Sequence, residues 1–383
     1  MDMRALTGRT NESAPFLACV RYWPSSSGPF WWSVFRADQV QHDFDLLAAF
    51  GIRRLRIALT WYDFQPSVEM VSVPAMRNLE QVLRLAADRG ISLTVTLFPV
   101  HIFGVGFVPE LALSDEGGQK DAVMCGSSTS RRRVRNLFRD PRVVRAQLRL
   151  IREVVGEFAD HPAVLGWVLG DGMESVTAPE DREELEGWLA RVVESVTSTR
   201  NTKPLWHAVS ARDVALNPYL DLSALGRSGL AAWIVVDWRP TWAADAAATW
   251  ESFLTVYTAG MTAFPAMLSA GCGPETVRQA QPAPERTFDS VWLAGAAGYE
   301  LEAAFDSGDD VARVDLLRPA GICLKQGMFS ADGTPKELDV VGLLADADRV
   351  ARPPATVVSM PDARERAEDP EGMIRSCFAE FTR

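Results

Sequence analysis

The segment HPAVLGWVLGDGMESV, residues 161–176, decides the fold of this chain. Its middle, VLGWVL (164–169), is a short apolar run with the length and composition of a buried strand. The run ends at Gly170-Asp171-Gly172, so a carboxylate directly follows the predicted strand. In a barrel of βα units, the loops after the strands build the active site. Asp171 is therefore one of the candidate functional residues.

Similar runs recur along the chain, and longer segments with helical periodicity lie between them. This alternation predicts repeated βα units around a parallel sheet. Together with the run above, the predicted strands number eight, as in a (β/α)8 TIM barrel. We therefore predict an α/β fold that consists of a single barrel with long βα loops. The other predicted strands are 17–22, 54–59, 92–98, 204–209, 232–237, 265–269 and 296–301.

The segments between these strands contain helices and long loops. Residues 38–50 and 76–89 show helical periodicity and each end before a glycine, whereas residues 141–159 begin with a proline, which suits the first helical position. Two stretches, 101–133 and 272–287, are rich in glycine, serine or proline. We predict that both are long loops on the carboxyl side of strands, where a barrel places its active site.

The chain divides into three predicted parts. Residues 1–15 form an N-terminal extension, residues 16–350 the barrel, and residues 351–383 a C-terminal surface extension. The sequence contains neither an internal repeat nor a low-complexity linker. The triplet Arg131-Arg132-Arg133 is expected in a solvated loop or at a helix start, in preference to an anion site.

Composition excludes several classes of partner. The chain has 383 residues, 47% of them hydrophobic, and a net charge of -11, which disfavours a nucleic-acid backbone as partner. It shows neither the apolar core of a secretory signal nor 18 uncharged apolar residues in a row, so we expect a soluble, cytoplasmic protein without a membrane partner. Five scattered cysteines without CxxC spacing indicate neither a disulfide framework nor a zinc site, and we expect no metal and no cofactor.

Four segments, taken in order, resemble the clan A glycoside hydrolases, closest to the family 5 cellulase and mannanase-like group. The resemblance spans residues 16–340 and implies a (β/α)8 barrel that hydrolyses glycosides with retention, using a glutamate after the fourth strand and another after the seventh. The segments are VRYWPSSSGPFWW (20–32), RLRIALTWYDFQP (54–66), TLFPVHIFG (96–104) and HPAVLGWVLGDGMESV (161–176).

Both positions that the resemblance assigns to catalytic glutamates are non-acidic here. The acid/base position aligns to Gly172 and the nucleophile position to Ala270. A retaining glycosidase needs two carboxyl groups, one to protonate the leaving oxygen and one to attack the anomeric carbon. We therefore predict that double-displacement hydrolysis is lost. The alternative is that Asp171 or Glu174 takes the acid role and that Glu275 or Glu300 supplies the second carboxylate.

Other residues at the same strand ends suggest a change of ligand. Arg21 stands where the family has a polar amide, and Arg239 lies in the segment DWRP after the sixth predicted strand. Arginine offers a charged, bidentate donor, so a carboxylate or enolate ligand is favoured over a neutral sugar. The alternative is that Arg21 pairs with Asp171 or Asp237 and holds the emptied site together.

The strand ends also carry the candidate acid–base groups. Asp171 is the first choice, and His101, Asp237 and Glu300 complete the candidate catalytic set. The alternative for each is a hydrogen bond that ties down a loop. Cys272, near the lost nucleophile position, is expected to be an inert thiol. The candidate substrate-binding residues are Arg21, Trp23, Trp61, His207, Trp238 and Arg239.

Tryptophans are frequent near these strand ends and suit stacking on a sugar ring or a flat apolar ligand. Core packing is the alternative, and it is preferred for Trp167. The group comprises Trp23, Trp31, Trp32, Trp61, Trp167, Trp238 and Trp242.

Three functions follow from these residues. The leading hypothesis is a repurposed barrel enzyme that performs acid–base chemistry, such as a cyclisation, isomerisation or elimination, on a small molecule, with an anion as one candidate. The second is a non-catalytic sugar-binding protein, and the third is a hydrolase with relocated carboxylates. The sequence leaves the substrate and the oligomeric state open.

Overall fold

The fold is a closed barrel of eight parallel strands, which confirms the predicted (β/α)8 TIM barrel. The computed structural model describes residues 16–102, 104–270, 284–301, 303–308, 328–336 and 368–382. Every barrel strand overlaps one of the eight predicted runs. The barrel strands are β1 (Leu17–Arg21), β2 (Arg54–Ala58), β3 (Ser92–Pro99), β8 (Val164–Asp171), β9 (Leu205–Ser210), β10 (Ala231–Val236), β11 (Met267–Ala270) and β12 (Gly298–Leu301).

The remaining strands form a small separate sheet, and the prediction of a loop over 101–133 was wrong. The sheet consists of β4 (His101–Ile102), β5 (Val105–Phe107), β6 (Leu113–Cys125) and β7 (Ser128–Val134). The arginine triplet lies in β7 and not in a loop or at a helix start. Its middle member, Arg132, pairs with Glu110 and with Asp115.

Helices pack around the barrel, and the three predicted ones are present within a few residues of their expected limits. These are α1 (Ala37–Ala49), α3 (Val73–Ala87) and α4 (Pro141–Phe158). Helix α4 begins as the sequence indicated, with Pro141 in its first turn and the Asp140 side chain accepting hydrogen bonds from two backbone amides. The other helices are α2 (Trp61–Phe64), α5 (Met173–Val176), α6 (Arg182–Thr197), α7 (Ala211–Leu216), α8 (Leu222–Arg227), α9 (Ala247–Thr262), α10 (Pro284–Leu293) and α11 (Pro370–Phe381).

Large side chains fill the barrel interior. Trp206, Trp233 and Met267 belong to one buried cluster contributed by neighbouring strands. Gly166 makes room for this packing, because a Cβ atom there would lie 2.4 Å from the ring of Trp206. The guanidinium carbon of Arg56 lies 4.6 Å from the ring centroid of Trp233. The interior is therefore a packed core, with charged side chains directly on top of it.

An irregularity in β8 determines which way Asp171 points. Val168 pairs with Trp206 and Asp171 pairs with Ala208, so three steps along β8 match two along β9. Side chains alternate between the two faces of a strand, and an extra residue resets that alternation. Val168, Trp206 and Ala208 share the interior cluster. The bulge thus turns Asp171 towards the barrel interior as well.

The last helix, α11, packs on the outside of the barrel. Ile374, Cys377 and Phe378 are buried on one of its faces. The division into an N-terminal extension, a barrel and a C-terminal extension stays a prediction, because residues 1–15 and 337–367 lie outside the described residues. Among the residues that the structure describes, no helix is long and apolar enough to cross a membrane.

Candidate functional site

Two arginines and two carboxylates meet at the top of the barrel interior, and we call these four residues the ion-pair network. Arg56 lies 2.7 Å from Asp171 Oδ2 through one terminal nitrogen and 3.0 Å from Glu300 Oε2 through the other. Arg21 reaches Asp171 Oδ2 at 3.3 Å and Glu300 Oε1 at 3.4 Å. Every side chain in the network is at most 5% exposed. Among the described residues, the network thus brings two guanidinium groups against two carboxyl groups.

The strand register explains why these side chains meet. Arg21 and Arg56 are directly paired neighbours on β1 and β2, so their side chains leave the same face of the sheet. Arg56 also donates from Nε to Thr96 on β3 at 2.9 Å. The pairing of Arg21 with Asp171, which the sequence left open as an alternative, is present. Arg21 therefore binds two carboxylates of the chain itself.

Gly172 has a conformation that disfavours any side chain. Its φ is +65°, in the left-handed region, and it caps the short helix α5. A Cβ atom at this position would lie 2.5 Å from the Cβ atom of His101. Both the backbone and the neighbour therefore oppose a glutamate here. His101 itself is partly buried, and this burial lowers the pKa of its imidazole, an effect that the charge of Asp171 partly offsets.

Two further carboxyl groups, Asp213 and Asp237, lie beside the network, and we call them the rim pair. Both are partly exposed. Asp237 follows β10 and accepts a hydrogen bond from Ser210 at 2.7 Å, while Asp213 on α7 accepts one from Ser175 at 2.6 Å. Each carboxyl thus sits just past the carboxyl end of a barrel strand.

Burial raises the pKa of both rim carboxyls. The pKa of Asp213 rises to about 7, and the charges of Glu174 and Asp237 add to the effect of burial. The pKa of Asp237 rises to about 6, with a contribution from Asp171. In each case a serine hydroxyl opposes the shift without cancelling it. The rim pair therefore changes protonation near neutral pH.

His207 lies behind the barrel wall, so its expected role in binding substrate does not fit its position. Its neighbours on β9, Trp206 and Ala208, belong to the interior cluster, and strand alternation points His207 outwards. There it packs against Trp188 and shares a 2.7 Å hydrogen bond between Nε2 and Oε1 of Glu174. Both partners are buried, and together they support the loop after β8 from outside.

The tryptophans expected to bind substrate differ in exposure. Trp61 is fully buried and donates from its indole nitrogen to Gln65 at 2.8 Å, so it is a core side chain and not a stacking platform. Trp23 is also buried. Trp238, next to Asp237, keeps part of its surface exposed. Of these residues, only Trp238 remains available to a ligand at the rim.

The tryptophans at 31, 32 and 167 pack in the core. Trp32 donates to the carbonyl of Ala58 at 2.7 Å, and Trp167 donates to Asn201 at 3.0 Å. Trp242 is only partly buried, and its ring packs edge-on against Trp250. The preference for core packing at Trp167 therefore agrees with its position.

The remaining expected site residues are Arg239, which is described, and three residues at or beyond the end of β11. Arg239 is buried, which lowers its pKa, and the charges of Glu251 and Asp245 oppose that effect. Ala270 is the last residue of β11. Cys272 and Glu275 lie outside the described residues. Within the described part of the chain, no group of three or more histidine, cysteine or acidic side chains is arranged to hold a metal ion.

Two important residues were absent from the predicted site. Arg56 is a charge inside the apolar run RLRIAL, and a buried charge in a strand is a usable signal because it requires a partner. Asp213 stands in the first turn of α7, where acidic residues are common for helix capping alone. Its sequence context therefore offered no signal of a site.

Comparisons with known proteins find solved structures of similar fold. No protein-family model and no curated protein matches the chain. A solved structure of GH5_18 from Streptomyces cattleya, in complex with GlcNAc, has a TM-score of 0.75 at 21% identity, covering 96% of this chain and 90% of that one. GH5_18 from Bifidobacterium longum subsp. infantis has a TM-score of 0.72 at 18% identity, covering 90% and 81%. The exo-beta-1,4-mannosidase Op5Man5 from Opitutaceae bacterium strain TAV5 has a TM-score of 0.69 at 18% identity, covering 90% and 61%.

At these identities the likeness establishes the fold. The chain has the barrel found in clan A glycoside hydrolases, and this agrees with the resemblance seen in its strand segments.

Proposed function

We propose that this barrel performs acid–base chemistry on a small molecule, with Asp213 and Asp237 as the groups that transfer protons. The observation that carries the proposal is the position of two partly exposed carboxyls just past the ends of neighbouring barrel strands, each bonded to a serine hydroxyl. Burial raises their pKa values to about 7 and about 6, which supports the proposal. A general acid or base works best when its pKa is close to the working pH. Carboxyls with shifted pKa values cluster at functional sites, and a barrel has its active site at this end.

The ion-pair network argues against double-displacement hydrolysis by Asp171 and Glu300. A retaining nucleophile must bring a carboxylate oxygen to the anomeric carbon of the substrate. Both oxygens of Glu300 accept hydrogen bonds from guanidinium groups, and Oδ2 of Asp171 accepts two. Moving either carboxylate towards a substrate would remove one of the two carboxylate partners from both buried arginines. We assign the network a role in holding the barrel mouth together.

The ligand is a neutral, hydroxyl-bearing molecule in this proposal, and not the anion that the sequence favoured. Arg21 is bonded to two carboxylates, and Arg239 is buried near Glu251 and Asp245. The rim instead offers carboxyl and hydroxyl groups, which suit a polyol or sugar. Structural neighbours bind GlcNAc and Manb1-4GlcNAc, which supports a carbohydrate-like ligand. The reaction class is an isomerisation, elimination or cyclisation.

Deuterium exchange tests the proposal without knowledge of the product. GlcNAc, mannose and other free aldoses are incubated with the protein in D2O, and NMR follows loss of a carbon-bound proton. We expect exchange with at least one sugar, and we expect Asp237→Asn or Asp213→Asn to abolish it. Aryl glycosides are assayed in parallel. Aryl glycoside turnover that survives Asp237→Asn and disappears in Glu300→Gln would refute the proposal.

A second function, sugar binding without chemistry, is favoured by one observation. Trp238 presents a partly exposed ring beside the rim pair, and tryptophan rings stack on sugars. Calorimetric titration with GlcNAc and mannobiose tests this alternative. Binding that depends on Trp238, without deuterium exchange or turnover, would favour it over the enzyme. Absence of binding at millimolar sugar would eliminate it.

A further inference from the structure

The C-terminal helix α11 packs against two elements of the barrel mouth. One is α7, which carries Asp213, and the other is α9, which follows the segment with Asp237 and Trp238. These two contacts join a helix near the end of the chain to both members of the rim pair.

Phe378 is the centre of the contact with α9. Its ring lies 5.4 Å from Trp242, 5.8 Å from Trp250 and 5.4 Å from Phe253, measured between centroids. Phe381, one turn further on, lies 5.8 Å from Phe253. Aromatic rings at these separations attract each other and bury a large apolar area. The cluster therefore fixes α11 on the barrel.

Trp250 connects this aromatic cluster to the segment that contains Asp237. Its indole nitrogen donates to the carbonyl of Trp238 at 3.3 Å, and the two rings lie 6.2 Å apart, edge to face. Trp238 directly follows Asp237 in the chain. A shift of Trp250 would therefore move the backbone beside the rim carboxyl.

The contact with α7 reaches the rim by a second route. Helix α7 begins after Ser210, whose hydroxyl oxygen accepts from the amide of Arg212 at 3.0 Å and donates to Asp237 at 2.7 Å. Asp213 follows within the same first turn. The helix that α11 contacts thus supports one rim carboxyl and holds the serine that bonds to the other.

We propose that α11 sets the positions of Asp213 and Asp237, with Phe378 as the positioning residue. The inference rests on the proposed function for its meaning in the reaction, but its test does not require turnover. Loss of the Phe378 ring removes the aromatic contacts that fix α11 on the barrel. Trp250 and α7 then lose packing against α11, and water reaches the rim pair. Because burial is the main cause of the raised pKa values, both then fall towards their ordinary range.

Carboxyl-carbon NMR titration measures this effect in the full chain. We expect Phe378→Ala to lower the titration midpoints of Asp213 and Asp237 by about one pH unit. Phe378→Leu, which keeps an apolar group of similar length, is expected to retain most of the shift. Arg375→Ala, an exposed position on the same helix, is the matched control and should leave both midpoints unchanged. Assignments come from the spectra of Asp213→Asn and Asp237→Asn.

A second variant keeps the test decisive if Phe378→Ala fails to fold. Phe381→Ala removes a partly buried ring of the same cluster, and we expect a smaller shift in the same direction. A folded Phe378→Ala or Phe381→Ala protein with a lower melting temperature and unchanged midpoints would overturn the proposal, because α11 would then act on stability alone. Shifted midpoints without any deuterium exchange in the wild-type protein would uphold the positioning role and reject the proposed function.

Discussion

The ion-pair network and the rim pair are neighbouring sets of carboxyl groups in opposite electrostatic settings. Asp171 and Glu300 are at most 5% exposed, and each accepts hydrogen bonds from two guanidinium groups. Asp213 and Asp237 are more exposed, and each accepts a hydrogen bond from a serine hydroxyl. Among the described residues, neither forms an ion pair with a guanidinium group, although the backbone amide of Arg212 also donates to Asp237. Burial raises the pKa of Asp213 to about 7 and that of Asp237 to about 6. The two sets of carboxyls therefore differ in charge compensation, because the network has guanidinium partners and the rim pair has neutral hydrogen-bond donors.

The largest expected effect comes from breaking the network. Arg56→Met leaves Asp171 and Glu300 buried with Arg21 as their common partner, and we expect a loss of about 3–5 kcal/mol in the free energy of unfolding. Urea denaturation measures the loss. The matched control, Arg84→Met on the exposed face of α3, should change stability by less than about 0.5 kcal/mol. Equal stability of the two variants would show that the network contributes nothing.

A smaller effect is expected from a substitution at Gly172. Gly172→Ala adds a Cβ atom at φ +65° and within 2.5 Å of His101. Gly229→Ala is the matched control, because Gly229 has φ +78° and nothing within 4 Å of the added atom. We expect about 1–2 kcal/mol for the backbone strain in both variants and about 1–3 kcal/mol more for Gly172→Ala. Indistinguishable unfolding curves would mean that a side chain at position 172 is tolerated.

A substitution in the rim pair is expected to raise the free energy of unfolding, whereas the two substitutions above lower it. Asp213 has a folded pKa of about 7 against an ordinary value of 3.8, so the stability linked to its proton is complete below about pH 4 and is lost as the pH rises to about 7. Asp213→Asn removes that loss. Because Asp213 is partly exposed, solvent reduces the free energy linked to its pKa shift. We expect Asp213→Asn to stabilise the protein by about 1–2 kcal/mol near pH 8 and to change its stability little near pH 4. Destabilisation at both pH values would contradict the raised pKa.

The sequence predicts the features that depend on residues near each other in the chain, and it fails for features that depend on distant residues. The eight barrel strands could be predicted because each is a short apolar run that is visible within a few consecutive residues. The hairpin of β6 and β7 was missed because most of it is exposed and lacks apolar alternation. Asp171 was found, but its direction depends on a bulge set by pairing with β9. Arg56 and Glu300 are 244 residues apart in the chain, and neither sequence segment indicates that the two side chains form an ion pair.

We infer that the rim pair transfers protons in this barrel, and this inference depends on its titration near neutral pH. Carboxyl-carbon NMR of the wild-type protein between about pH 4 and pH 9 tests it most directly. We predict midpoints at about 6 for Asp237 and about 7 for Asp213. Midpoints near the ordinary aspartate value of 3.8 for both residues would show that burial raises neither pKa and would contradict their role in proton transfer.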